Sequence, residues 1–373
     1  MNGVMYLSMP FLFAIFTNRL ARWRRTSAIC GLLLSSAGLF LSSFSTSVWQ
    51  LIITQGVLSA LGSSLVYSPK TLYLDEWFLR RKGFAYGTIL SSKNLVGVGT
   101  PFVVSALLSK FGFRTTLRIW AGTVVLIGIP GIYLMRPRRS HIPSRDRHGR
   151  RIPWKFLCHP TFYVFQVSNI IFSSGYGLPQ TYLSTYANKV VHLSTTSSSL
   201  MLTLFNAPGI VAGVGFGLLC DGLSFGGGYS MSVFAVTCMS ALGSALPVFF
   251  LWGLSSNNGI AMLSLFSILY GFFAGGYSAT WGGVIKEIER EAIDRDEAID
   301  TGIVYGLMNG GRGVGYMVGG FAGVELLKAG AVQESGKWGH GTEYGSMILF
   351  TGLCAAFGGW SILWKVTRAL LRY

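Results

Sequence analysis

Eleven apolar runs, each near the length a bilayer demands, restrict what this chain of 373 residues can become. They cover roughly residues 4–18, 27–46, 48–69, 83–108, 116–135, 161–186, 197–220, 229–253, 259–285, 301–327 and 344–364. A helix that spans a bilayer needs about 17–25 apolar residues. Only 12% of the residues are charged, where a soluble domain carries about 25%. Mean hydropathy is +0.50. The expected class is therefore an all-α integral membrane protein. The 49 glycines are about twice average usage and sit inside the apolar runs, where they let helices approach closely.

A net charge of +16 raises the question of nucleic acid, and its distribution answers no. The cations punctuate the ends of apolar runs. If the loop 19–25 is cytosolic, alternation places 80–82, 136–155, 286–300 and the C-terminal tail on the same side. These five stretches hold twenty-one of the thirty Lys and Arg residues. Lys110, Arg114, Arg118, Lys189, Lys328 and Lys337 fall on the opposite side. Such an asymmetry is the positive-inside rule. It predicts a multi-pass protein, plasma membrane being the expected site, with the C-terminus and central loop cytosolic and the N-terminus outside.

One pattern occurs twice. Gly83-Phe-Ala-Tyr86-Gly87 is followed six residues later by Lys93, and Gly302-Ile-Val-Tyr305-Gly306 six residues later by Arg312. Lys93 is eleven residues beyond Lys82, about 16 Å of helix, and Arg312 twelve beyond Asp300, about 18 Å. Both reach the middle of a hydrocarbon core about 30 Å thick. A charge there costs about 2.5–3.5 kcal/mol even on the lenient scale and marks a functional site by default. The copies lie on the fourth and tenth runs, so the repeat is six helices and the expected total is twelve. The eleven runs are then read as a first half lacking its first helix.

The residues Trp77-Phe-Leu-Arg-Arg-Lys-Gly-Phe-Ala-Tyr-Gly87, Gly112-Phe-Arg-Thr-Thr-Leu-Arg118, Leu269-Tyr-Gly-Phe-Phe-Ala-Gly-Gly-Tyr277 and Gly302–Gly315 carry a resemblance. Together with helix order they resemble the major facilitator superfamily, and within it the fungal branch of the monocarboxylate transporter-like family. The resemblance implies a two-bundle transporter of 5 + 6 helices. Its N-terminal bundle would be 1–135, its basic cytosolic linker 136–160 and its C-terminal bundle 161–373. It also implies gating by Arg22 and Arg24 in the first half and Asp221 in the second. The gating motif departs from the family pattern: Asn18-Arg-Leu-Ala-Arg-Trp-Arg-Arg25 lacks the acid and glycine, and Gly222 follows Asp221 where an arginine is usual. Animal members carry an acid and an arginine in their eighth helix; here that stretch reads Asn206-Ala-Pro-Gly-Ile-Val-Ala-Gly213.

Lys93 and Arg312 are the leading substrate ligands, because no carboxylate occupies the middle of a run and an anionic substrate is their natural partner. Structural pairing with backbone carbonyls or with the missing helix is the rival. Tyr86 and Tyr305 precede their cations by two turns on the same helix face, and Asn309 shares the face of Arg312; core packing of the tyrosines is equally open. Asn206 with Pro208, and Tyr176 with Pro179 and Gln180, are expected to break their helices at a midplane site, a plain kink being the alternative. Tyr277 and Trp281 are candidates to line the cavity, against a packing role.

Other chemistries are set aside. Gly311-Arg-Gly-Val-Gly315 lacks the strand and soluble crossover that a nucleotide loop requires. The five histidines lie in loops or at run ends, and the five cysteines show no CxxC or zinc spacing. No enzyme, cofactor or metal is expected. The predicted function is secondary active transport of a small organic anion, monocarboxylate-like or an acidic metabolite, by alternating access, with protons a candidate coupling ion. The alternative is a truncated, non-transporting paralogue or membrane sensor that keeps the fold.

Overall fold

In hydrocarbon each backbone N–H and C=O must be satisfied inside the protein, and this chain meets the demand with helices. The computed structural model describes residues 1–17, 20–78, 81–138, 153–222, 231–255, 259–330 and 339–370. The readings placed on Asn18, Arg19, Arg80, the linker's 139–152, Lys337 and the last three residues lie outside these. Among the described residues there is no strand. The helices are α1 (Asn2–Thr17), α2 (Arg24–Ser42), α3 (Val48–Trp77), α4 (Lys82–Leu134), α5 (Pro160–Lys189) and α6 (Thr195–Cys220). They continue with α7 (Val233–Trp252), α8 (Ile260–Asp294), α9 (Thr301–Ala329), α10 (Gly345–Phe357) and the amphipathic α11 (Ser361–Leu370).

The apolar runs coincide with helix over most of their length, but the breaks between them differ from expectation. The fourth and fifth runs join in α4, which bends at Gly112, where φ is 72° and ψ 174°. Only glycine adopts that backbone without strain. The third run was read as ending at 69, yet α3 continues to Trp77. By length and composition seven of the described helical stretches can cross a membrane, with α1 shorter at 16 residues. The count of eleven crossings therefore remains an expectation from the sequence. Neither Pro179 nor Pro208 breaks its helix: α5 and α6 run through them. A membrane helix tolerates the one lost bond when neighbouring groups satisfy the freed carbonyl.

Contacts divide the chain into two compact units. The first comprises Met1–Arg80, Val104–Cys158 and Glu289–Val314, and the second Arg81–Val103, His159–Ile288 and Gly315–Tyr373. In the first, α1 lies against the start of α9, where Gly306 faces Phe13 and Gly310 faces Pro10. In the same unit Gly31 of α2 sits on the backbone of Gly62 in α3.

The second unit is built on a glycine contact between the first half of α4 and α6. Gly83 faces Gly217 and Gly87 faces Gly213, each without room for a Cβ against the other's carbonyl oxygen. Ser91 Oγ donates to the Ile210 carbonyl at 2.6 Å across this contact. The rest of the unit packs around Phe172, Trp252, Phe266, Tyr270 and Met347, all buried.

Two substitutions on α6 should have opposite effects. Gly213→Ala drives a methyl into Gly87 and Ser91 and should destabilise by about 1–3 kcal/mol, the usual penalty of overpacking. Gly215→Ala meets nothing within 4 Å and should be neutral or stabilising by up to about 1 kcal/mol through helix propensity. Thermal unfolding in detergent measures both, and equal effects would mean that the glycine contact is not required.

Candidate functional site

The first unit gathers polar side chains from three helices. Tyr67 and Lys70, three residues apart on α3, share a face, as do Tyr305, Asn309 and Arg312 on α9. The hydroxyls of Tyr67 and Tyr305 are hydrogen-bonded at 3.0 Å. Arg312 is buried, with its guanidinium 5.0 Å from the ring centre of Tyr6 on α1. The Lys70 ammonium stands 4.4 Å over the Tyr67 ring. Asn309 donates through Nδ2 to the Tyr305 carbonyl at 2.8 Å, leaving its Oδ1 buried without a donor among the described residues. That amide orientation is forced, because a flip would set two oxygens face to face.

Lys70 is the residue the sequence reading missed. The third run stops at 69, one residue short of it, but α3 carries on to Trp77, which puts it eight residues, about 12 Å, inside the helix end at Phe78. The signal was available in the charge count. Twenty-one of the thirty Lys and Arg residues fall in the five basic stretches and six on the opposite side, leaving Lys70, Lys93 and Arg312 in neither set. Among the described residues no carboxylate pairs with Lys70 or Lys93.

The second unit gathers a smaller group. The Lys93 ammonium lies 5.9 Å from the ring centre of Tyr176. Gln180, one turn further on α5, donates to the Tyr176 hydroxyl at 3.4 Å. Tyr316 meets Tyr176 edge-on at 6.2 Å. Lys93 itself is exposed, whereas Tyr86, two turns earlier, is buried, so these two do not share an environment. Asn206 bonds back to the Leu202 carbonyl and its amide covers Gly97, one turn beyond Lys93.

The aromatic pair on α8 is packed. Tyr277 stacks on Phe172 at 3.7 Å and its hydroxyl donates to the Gly358 carbonyl at 3.1 Å. Trp281 is 2% exposed. Ring stacking and a satisfied hydroxyl are the contacts that the packing reading of Tyr277 expects.

The gating residues divide. Asp221, at the end of α6, accepts from the backbone N–H groups of Gly83 at 3.1 Å and Phe84 at 2.7 Å and forms an ion pair with Lys286. A carboxylate at the first turn of α4 is placed where the helix dipole favours negative charge. Arg24 is buried and joins the start of α2 to Glu76 of α3, while its Nε donates to the Phe16 carbonyl at 2.9 Å. Arg22 is exposed and its guanidinium lies 5.9 Å from the ring centre of its neighbour Trp23. The first unit closes the start of α9 with local acids: Asp300 accepts from the Ile303 N–H at 3.1 Å, and Thr301 Oγ1 donates to Asp75 at 2.6 Å. Burial holds the Asp300 carboxyl above the usual carboxylate range, with the Ile303 N–H pulling the other way.

The chain is similar to known proteins in sequence and in fold. The profile of the Major Facilitator Superfamily matches residues 1–281. An MFS-type transporter of Gibberella moniliformis is 27% identical over 320 residues, 85% of this chain and 72% of its own length. Human monocarboxylate transporter 12 is 29% identical over 294 residues, which is 69% of this chain and 54% of that one. The chain thus spans little more than half of some of the curated relatives it matches. In fold, it superposes on the human organic anion transporter MFSD10 (TETRAN) with a TM-score of 0.64 at 12% identity, covering 96% of this chain and 81% of that one. With the matched profile covering three quarters of the sequence, the chain belongs to the Major Facilitator Superfamily of membrane transporters, alongside fungal and monocarboxylate transporter-like relatives.

Proposed function

We propose that the protein moves a small organic anion by alternating access, with Lys93 and Arg312 as the principal counter-charges. The observation that carries this reading is the set of three cations that belong to neither group of loop and tail cations, Lys70, Lys93 and Arg312, where the described residues supply no carboxylate to Lys70 or Lys93. An intramembrane cation is retained at a cost of a few kcal/mol only where something compensates it, and a carboxylate substrate does so. The monocarboxylate transporter relatives and the fold shared with an organic anion transporter are consistent with the same substrate class. Tyr67, Tyr305 and Asn309 near Arg312, and Tyr176 and Gln180 near Lys93, would set the shape and polarity of the site. The sequence halves 1–135 and 161–373 would be its two repeats, joined by 136–160. Asp221 and Arg24 would act as cytosolic latches, and the plasma membrane is the expected location.

Lys93→Ala and Arg312→Ala should each abolish flux of an organic anion in proteoliposomes while leaving membrane abundance intact. Lys93→Arg should also transport poorly, since a planar fork replaces a compact point charge. Normal transport by both alanine variants would remove the proposal.

Lys70→Met keeps the apolar stem and loses the charge. It should lower kcat/KM for the anion at least tenfold without loss of folded protein. A variant indistinguishable from wild type would assign Lys70 to packing on Tyr67 alone.

Asp221→Asn keeps an acceptor oxygen but removes the charge that binds Lys286 and faces the start of α4. Cysteines introduced on the cytosolic side of the second unit should then react faster with a membrane-impermeant thiol reagent. Unchanged labelling would show that Asp221 does not act as a latch.

A further inference from the structure

We propose that the first unit carries a binding site for an anionic glycerophospholipid at its cytosolic end, separate from the transported anion. A cavity of about 710 Å³ is lined there by Arg25, Trp77, Tyr133, Arg136, Pro137 and Arg138. Three helix ends build it: the start of α2, the last residue of α3, and the end of α4 with the segment that follows.

The lining is held in place by its own bonds. Arg25 donates to the Tyr133 carbonyl at 3.2 Å and lies 5.0 Å over the Tyr133 ring. Trp77 Nε1 donates to the Arg136 carbonyl at 3.0 Å. Arg138 donates to the Glu76 carbonyl at 3.2 Å. A guanidinium has five N–H groups, and the bonds described use one each from Arg25 and Arg138. Among the described residues Arg136 has no hydrogen-bond or ion-pair partner for its side chain. Three arginines therefore face one cavity that no carboxylate side chain lines, an arrangement suited to bidentate contacts with phosphate oxygens.

Two further observations favour a lipid as the occupant over a soluble phosphate ester. The end of α4 leading away from the cavity exposes Leu126 (76%), Ile127 (68%) and Leu134 (76%), an apolar flank for acyl chains. Trp77 and Tyr133 are the residue types that settle at the headgroup level of a bilayer. By the distribution of cations this is the cytosolic end, facing the leaflet that carries anionic lipid, and basic pockets between helices on that side suit such headgroups.

The test uses the full chain, delipidated in detergent, with retained lipid counted by native mass spectrometry. Phosphatidylserine should bind, phosphatidylcholine should bind at least tenfold more weakly, and glycerophosphoserine, which lacks acyl chains, should not be retained. The combined variant Arg25→Gln, Arg136→Gln and Arg138→Gln should reduce phosphatidylserine retention at least tenfold. Its thermal unfolding in phosphatidylcholine reports whether it is folded. If it is not, Arg136→Gln alone is read, and it should weaken retention at least threefold. Equal retention by the variant, equal binding of phosphatidylcholine, or headgroup binding as tight as that of the lipid would each overturn the proposal.

Discussion

The close approach of α4 and α6 through facing glycines sets the geometry of the second unit. With Gly83 on Gly217 and Gly87 on Gly213, the two backbones touch along two turns, and no side chain can be inserted between them. In lipid there is little hydrophobic drive between helices, so van der Waals packing of this kind must hold them together. One consequence is that the end of α6 meets the start of α4, which lets a single carboxylate, Asp221, bridge two backbone N–H groups and Lys286. Another is that Asn206 reaches Gly97 one turn beyond Lys93. The packing contact and the polar group beside Lys93 are therefore parts of one arrangement.

The first unit answers the same problem differently. Its helix α9 also starts at a polar junction, but the acids there are local: Asp300 bonds the first turn of its own helix, and Asp75 holds Thr301. Arg24 meanwhile ties α2 to Glu76. The eroded motif 18–25, which has no aspartate, is thus accompanied by acids drawn from the end of α3 and from the residue before α9. A repeat that matches in sequence is unequal in its ion pairs.

The three cations Lys70, Lys93 and Arg312 differ in surroundings as well. Arg312 is buried beside Tyr6, Lys70 sits over Tyr67, and Lys93 is exposed near Tyr176. Each has an aromatic face within 6 Å, and such a face attracts a cation without neutralising it.

By itself the sequence determined the class and most of the helices, because hydrocarbon allows so few backbone solutions. It also singled out Lys93 and Arg312, since a lone charge in an apolar run is conspicuous. What only tertiary structure decided was the partner of each polar group. Tyr277 and Trp281 left cavity and packing readings both open, packing being favoured, and the contacts with Phe172 and the Gly358 carbonyl become visible only in the fold. Pro179 and Pro208 looked like breaks, yet their helices run on. Lys70 escaped notice because a hydropathy run ends where charge begins, whereas a helix ends where its backbone bonds end. The basic cavity at Arg25, Arg136 and Arg138 was equally hidden, since residues far apart in sequence meet only when three helix ends converge.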